Sequence, residues 1–305
     1  MTKILSRLTR FYRGNNAGII GSALIALVVA LCLAAPLISP HDPDRRVGRP
    51  HQPPSAEHIM GTTRAGKDVA AQALHGGRVS LIVALAAAGL TTAIALAVGV
   101  GAGYAGGRID EGLMAVTNIM LVFPQLPLLI ILAAFLGNVG PFVIAVILGL
   151  TSWPWGARVM RAQTLSLRRK EFVTAAEIMG ESRWRIIAVE ILPNLISLAA
   201  GMFVGTALYA IGAQAGLEFL GLGDPTVVSW GTMLYWAQSS QAFLVGAWWE
   251  FLVPGTLIAL VGGGLALLNI SIDQVSNPRL RTGPQMKRWR RMAATLDAKR
   301  REGRA

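Results

Sequence analysis

The chain has 305 residues, 53% hydrophobic and only 14% charged, with a net charge of +12, whereas about a quarter of a soluble domain is charged. This balance excludes a soluble globular fold and leaves no folded soluble domain to bind nucleic acid through the basic excess. The single cysteine excludes an internal disulfide.

Roughly 20 helical residues cross the hydrocarbon core of a bilayer. Lys3, Arg7, Arg10 and Arg13 precede the first uncharged block, 17–40, which holds a span near 17–38. Its apolar run is longer than the roughly 7–15 residues of a secretory signal. Leu31 also stands where a lipidation site before Cys32 needs a small residue, so the segment reads as an uncleaved anchor. The loop 40–78 follows and holds all four histidines, His41, His51, His58 and His75. Their spacing matches no metal cage, so no metal is expected. Within the loop, "GTTRAGKD" (Gly61–Asp68) matches a phosphate-binding loop until Asp68, where a Mg²⁺-ligating hydroxyl is required. The polar, proline-led "PPSAEHIM" precedes it in place of a buried strand, so the match is set aside.

Further uncharged blocks at 79–107, 112–157, 191–217 and 251–272 give spans near 80–104, 112–136, 141–157, 195–217 and 252–272, with a break at "GNVGP" (Gly137–Pro141). The expectation is an all-α polytopic membrane protein of six transmembrane helices. Glycines cluster at the end of the second span (Gly99, Gly101, Gly103, Gly106, Gly107) and inside the sixth (Gly262–Gly264), where small residues permit close packing or bending. Polar residues inside apolar spans are functional suspects: Asn118, Gln125, Gln214 and Asn269, with Glu218 at the end of the fifth. Residues 219–250 have the length of a span but not its pattern. With Trp230, Trp236, Trp248 and Trp249 suited to an interface, they read as an outer re-entrant or surface helix.

Orientation follows from Lys and Arg. With the N-terminus inside, 22 of the 28 basic residues fall on the cytoplasmic side, ten of them in the tail from Arg279 to Arg304. The other six lie between Arg45 and Arg78, which places the loop 40–78 outside.

The longest inner segment between spans runs from Ala157 to Asn194. "EFVTAAEIMG" puts Phe172, Ala175, Ala176 and Met179 on one helical face. Gly180 is a stop able to take positive φ, and Ser182 caps a second helix. There Trp184, Ile187, Ala188 and Ile191 follow a helical spacing. The pattern is two short helices lying on the membrane surface.

Ala175-Ala176, Gly180 and the "ILPN" that follows resemble the EAA loop of ABC importer permeases. "GTTRAGKDVAAQALHGGRVSL" is similar to the segment before the second span of the dipeptide/oligopeptide (peptide/nickel) C-type permeases. "GYAGGRIDEGLM", "FPQLPL", "WPWGARVMRAQTLSLRRKEFV", "EFLGLGDPTVVSWGTML" and "NPRLR" resemble further blocks of that family, and the likeness covers residues 1–282. The chain departs from the pattern at Thr174, where Glu is usual, at Glu190, where a basic residue is common, and at "NISIDQVSNPRLR".

The resemblance implies a type I ABC importer permease in a bacterial or archaeal inner membrane, both termini cytoplasmic. It implies an inner N-terminus (1–16), a first helix with outer loop (17–78), a permease domain (79–272) with its EAA loop near 157–194, and a basic tail (273–305). Expected partners are a related second permease, two ATPases, an extracytoplasmic binding protein and membrane lipid. ATP and Mg²⁺ would bind the ATPases, leaving this chain without cofactor, metal or catalytic residue. The resemblance gives ATPase coupling to Thr174, Ala175, Ala176, Glu177, Met179, Gly180, Ser182 and Arg183. Asn118, Gln125, Gln214 and Glu218 are the candidates for the substrate path. Di- or oligopeptides are the expected cargo; oligosaccharides and nickel are carried by the same family. A secondary transporter would need acidic groups deep in a span, and an intramembrane protease a Ser-His or paired-Asp constellation at membrane depth. The sequence offers neither.

Overall fold

The computed structural model describes residues 15–39 and 41–276. The basic N-terminal stretch before Asn15, the "NPRLR" block and the tail after it lie outside the described residues. The described residues form helices joined by loops, the longest at 41–68, with isolated β-bridges such as Arg46 with Lys67 and Thr62 with Asp68. Five helices are long and apolar enough to cross a membrane, or six spans if one sharply bent pair counts as a span.

The first helix, α1 (Asn16–Leu33), is followed by the single turn α2 (Ala35–Ile38). Asn15 caps α1 by accepting from the Gly18 amide at 3.1 Å, and its amide group donates to Ser271 Oγ at 2.6 Å. At the other end, Arg78 donates to the Cys32 and Leu33 carbonyls, both at 2.7 Å. These are the free carbonyls of a helix C-terminus, where a cation is favoured.

The organising element is α3 (Val69–Ala105), 37 residues long. At 1.5 Å per residue it spans about 55 Å, well beyond a hydrocarbon core of about 30 Å. The span expected at 80–104 is thus the C-terminal two thirds of a longer helix. Its polar first turns, with Gln72, His75 and Arg78, are helical as well, and Asp68 caps them by accepting from the Ala71 amide at 2.9 Å.

Gly106, at φ 69°, breaks the chain between α3 and α4 (Gly107–Val122). The span expected at 112–136 is not one rod. α4 and α5 (Gln125–Leu136) meet at 84°. Pro124 disfavours a helical conformation in the residue before it, and Phe123 is extended at φ −75°, ψ 128°.

Next come α6 (Pro141–Arg168), the short α7 (Glu171–Ile178) and a composite third rod. That rod consists of α8 (Arg183–Arg185), a π-helical turn over Ile186–Ile191, and α9 (Leu192–Phe219). The set closes with α10 (Trp230–Ser239) and α11 (Trp249–Ser276).

The core lies along α3, which packs on α6, α9, α1, α10 and α11. Small residues allow this. A Cβ on Gly99 would sit 2.5 Å from the Ala157 carbonyl of α6, and one on Gly77 2.7 Å from the Trp230 ring. Between α1 and α11 a Cβ on Gly21 would meet the Gly264 carbonyl at 2.6 Å. Van der Waals contact between close backbones is what holds helices together in lipid. Gly101 and Gly263 have open space beside them, so only part of each glycine cluster serves packing.

Two of the four tryptophans expected at an interface are core anchors instead. Trp230 is buried and donates to the Ala73 carbonyl at 2.9 Å; Trp249 is buried and donates to the Thr62 carbonyl at 3.1 Å. Trp236 and Trp248 remain half exposed.

Candidate functional site: a surface helix pair and a polar cavity

Two regions combine exposure with built geometry. The first is the α7–α8 pair, fixed to the C-terminal end of α3. Gly180 ends α7 at φ 78°. Its amide donates to the Glu177 carbonyl and that of Glu181 to the Ala176 carbonyl, both at 3.1 Å. These are the two bonds of a Schellman stop, in which glycine takes the left-handed residue without strain. Ser182 then caps the next turn by accepting from the Arg185 amide at 3.4 Å, and Arg185 pairs with Glu181. A sharp glycine corner thus sets the end of α7 against the start of α8.

One side of the pair is buried. Val173, Ala176, Ile186, Ile191 and Leu195 pack with Val100 and Tyr104 of α3. The Tyr104 hydroxyl donates to Glu177 at 3.5 Å, and the Arg168 guanidinium lies over the Tyr104 ring at 5.5 Å. This corrects the expected face. Ala176 points into its own chain with Val173, three residues before it, because α7 rests on α3. Ala175 is exposed. The second helix differs too. The π turn puts Ile186 and Ile191, five residues apart, on the buried side, and leaves Ala188 and Trp184 exposed, Trp184 to 82%.

The outward side is apolar for a surface so rich in charge: Phe172, Ala175, Ile178, Met179 and Trp184 lie exposed. An apolar patch of this kind marks an interaction surface. Thr174, Ser182 and Arg183 are exposed around it.

The second region is a cavity of about 800 Å³ walled by α5, α6, α9 and α11. Gln125, Ser152, Gln163, Asn194, Asn269 and Asp273 supply its polar lining. Gln125 donates to Ser152 Oγ at 2.7 Å. The Tyr209 hydroxyl, also at the wall, is buried with no hydrogen-bond partner among the described residues.

Of the four residues expected along a path, Gln125 therefore lines the cavity. Asn118 lies outside it, accepting from Arg158 at 2.7 and 3.3 Å. Gln214 and Glu218 are buried at the C-terminal end of α9. There Gln214 donates to Glu218 at 3.0 Å, and Ser229 and the backbone amides of Gly231 and Thr232 donate to the same carboxylate. That network seats α10 on α9. Asn269 lines the cavity, as do Gln163, Asn194 and Asp273, the last three of which were not among the path candidates. Their signal in sequence was faint, because each lies in or beside a charged stretch at a span boundary.

The phosphate-loop look-alike makes no cradle. Gly61 packs against Trp249, the Lys67 ammonium lies 3.0 Å from Asp44, and Asp68 is committed to the cap of α3 and to His58.

Residues 93–282 match the family model described as binding-protein-dependent transport system inner membrane component. Residues 6–54 match the N-terminal TM domain of oligopeptide transport permease C. Among curated proteins, the dipeptide transport system permease protein DppC of Bacillus subtilis is 32% identical over 275 residues, 89% of this chain and 85% of its own. The oligopeptide transport system permease protein OppC of the same organism is 30% identical over 272 residues, 88% of each chain. A Brucella suis relative, provisionally named a peptide transport system permease protein, is 35% identical over 266 residues, 86% of this chain and 88% of its own.

Proposed function

The chain belongs to the binding-protein-dependent inner-membrane transport components, and from that premise we propose that it is one of two permease subunits of an ATP-driven importer of di- or oligopeptides. It is a multi-pass membrane subunit that translocates rather than catalyses. ATP and Mg²⁺ belong to ATPase subunits, and cargo arrives from an extracytoplasmic binding protein. The termini and the α7–α8 pair face the cytoplasm, in keeping with the distribution of Lys and Arg. The relatives' names support peptides as cargo, and a cavity lined by amide and hydroxyl groups, with Asp273 its one charged residue among those described, suits a chain of amide groups passing through without a deep binding site.

The observation that carries this reading is the α7–α8 pair. It has a rigid corner, a buried side fixed to α3 and α9, and an apolar side that no described residue of its own chain covers. A surface of this form can receive a push from a partner and pass it to the spans. Ala175, Met179 and the exposed neighbours Thr174 and Arg183 make the contact. Glu177, Gly180 and Ser182 hold its shape.

The test uses the assembled complex. Ala175→Trp changes the exposed face without entering the core. Gly180→Val forces a branched residue into positive φ, at a cost of roughly 1 kcal/mol or more. Both variants should insert and pair with the second permease, yet lose ATPase co-purification or uncouple ATP turnover from peptide uptake in vesicles. Wild-type attachment and uptake in both would remove the pair from the coupling role.

A further inference from the structure

Three side chains far from the cavity and the helix pair converge at the N-terminal end of α3. His58 Nδ1 lies 2.9 Å from Asp68 Oδ2, and His41 Nδ1 lies 3.5 Å from the same oxygen. One ligand atom from each of the three residues falls within 4.8 Å of the others. His58 and Asp68 are buried, while the His41 side chain keeps 25% of its surface exposed. The two rings are 5.4 Å apart and tilted by 41°, so they approach the carboxylate from different directions.

The group is held in place by its surroundings. Asp68 Oδ1 is occupied by the Ala71 amide, which aims Oδ2 at the histidines. The His58 amide donates to Ser55 Oγ at 3.1 Å, and its ring lies so close to Gly48 that a Cβ there would meet Nε2 at 2.9 Å. The Ser39 hydroxyl donates to the His41 carbonyl at 3.2 Å. A tetrahedral ion with nitrogen and oxygen ligands at about 2.1 Å holds those ligands roughly 3.4 Å apart. The observed separations of 2.9 and 3.5 Å to Asp68 bracket that value, and the two histidines, with ligand atoms within 4.8 Å of one another, would draw together on the ion.

We propose that His41, His58 and Asp68 form a binding site for a divalent transition-metal ion of the zinc class. Two imidazoles and one carboxylate suit such an ion, whereas calcium and magnesium favour all-oxygen shells. Three protein ligands leave a fourth position for water, on the side where His41 meets solvent. The ion would close the loop between α2 and α3 upon the cap of α3, so its role is a clip rather than a catalyst. The inference is independent of the transport reading.

The test uses the full-length protein in detergent, with an affinity tag free of histidine, stripped of metal by a chelator. Wild type should take up one Zn²⁺ per chain by calorimetry, and Co²⁺ should give the intense visible absorption of a tetrahedral site. His41→Ala, at the half-buried ligand, should weaken Zn²⁺ by at least about tenfold while the protein still elutes as a single species. Asp68→Asn keeps a cap oxygen for Ala71 but should weaken the ion as well. His75→Ala, outside the group, should leave binding within about twofold of wild type. No binding at one equivalent in wild type, or His41→Ala binding as tightly as wild type, overturns the site. Should His41→Ala fail to elute as a single species, the wild-type Co²⁺ spectrum decides: weak octahedral absorption overturns the proposal.

Discussion

A Cβ added at Gly99 would meet the Ala157 carbonyl at 2.5 Å and Met160 Cβ at 2.6 Å, whereas at Gly101 nothing lies within 4 Å. Two glycines of one helix turn thus have opposite tolerances. Gly99→Val should force α3 from α6 and lower stability by about 1–3 kcal/mol, the usual range for overpacking. Gly101→Ala should be neutral or slightly stabilising, since alanine is the better helix former. Thermal unfolding of the purified chain in detergent checks both, and equal midpoints for the two variants would contradict the packing described. The glycine run itself was plain in the sequence. Which glycines touch a neighbour depends on the angular register between α3 and α6, which one strand of sequence does not encode. The same limit applies to Gln214 and Glu218. Their polarity made them path candidates, but Ser229, which completes the network, lies 11 residues beyond Glu218 on another element.

At the scale of the helix, local chemistry was well written. The Gly180 stop and the Ser182 cap followed from residue types alone, because caps and turns are settled within four or five positions; the second short helix did not, since Arg183–Phe219 runs on as one rod into the span. The faces were less legible. Periodicity put Ala176 on one face with Ala175 and Met179, and the family resemblance turned that face toward an ATPase, yet α7 rests on the end of α3 and turns Ala176 inward beside Val173. Ala176→Trp should therefore act through stability. The variant should insert poorly or unfold earlier, by on the order of 1–3 kcal/mol, while Ala175→Trp leaves the unfolding midpoint unchanged. Unfolding of the isolated chain, with no ATPase present, separates the two, and equal midpoints would put Ala176 back on the surface. The π turn and the 84° corner between α4 and α5 could not be read from hydropathy. A π turn leaves composition unchanged, and Pro124 marks a break without giving its angle.

The whole molecule has two ends joined by α3. At one end lies the loop 41–68, whose Thr62 carbonyl accepts from Trp249 and whose His51 lies 2.7 Å from Glu250. At the other lies the surface pair, packed on Tyr104 and Val100. Large apolar side chains such as Phe135, Phe142 and Leu150 stand exposed between them, as expected where lipid or another span replaces water. Five spans, or six with the bent α4–α5 pair counted as one, accord with the six expected from uncharged blocks, because the length needed to cross hydrocarbon is a strong constraint on composition. The direction of insertion rests on charge. In a Cys32→Ala background, Ser55→Cys should label from outside intact cells and Ser166→Cys only after permeabilisation. Both positions are exposed, so access to the reagent reports the side of the membrane. The reverse pattern would invert the topology and overturn the proposed ATPase contact of the surface pair.

The π turn at Ile186–Ile191 is the joint between that pair and α9. Such a turn holds one residue more than the α-helix it interrupts. If its hydrogen bonds contract from i→i+5 to i→i+4, the spare residue is absorbed by motion of everything before it: about 100° about the helix axis and about 1.5 Å along it. In such a contraction advance and rotation would come together, as in a screw, and a thrust on the surface pair would reach α9 as torque.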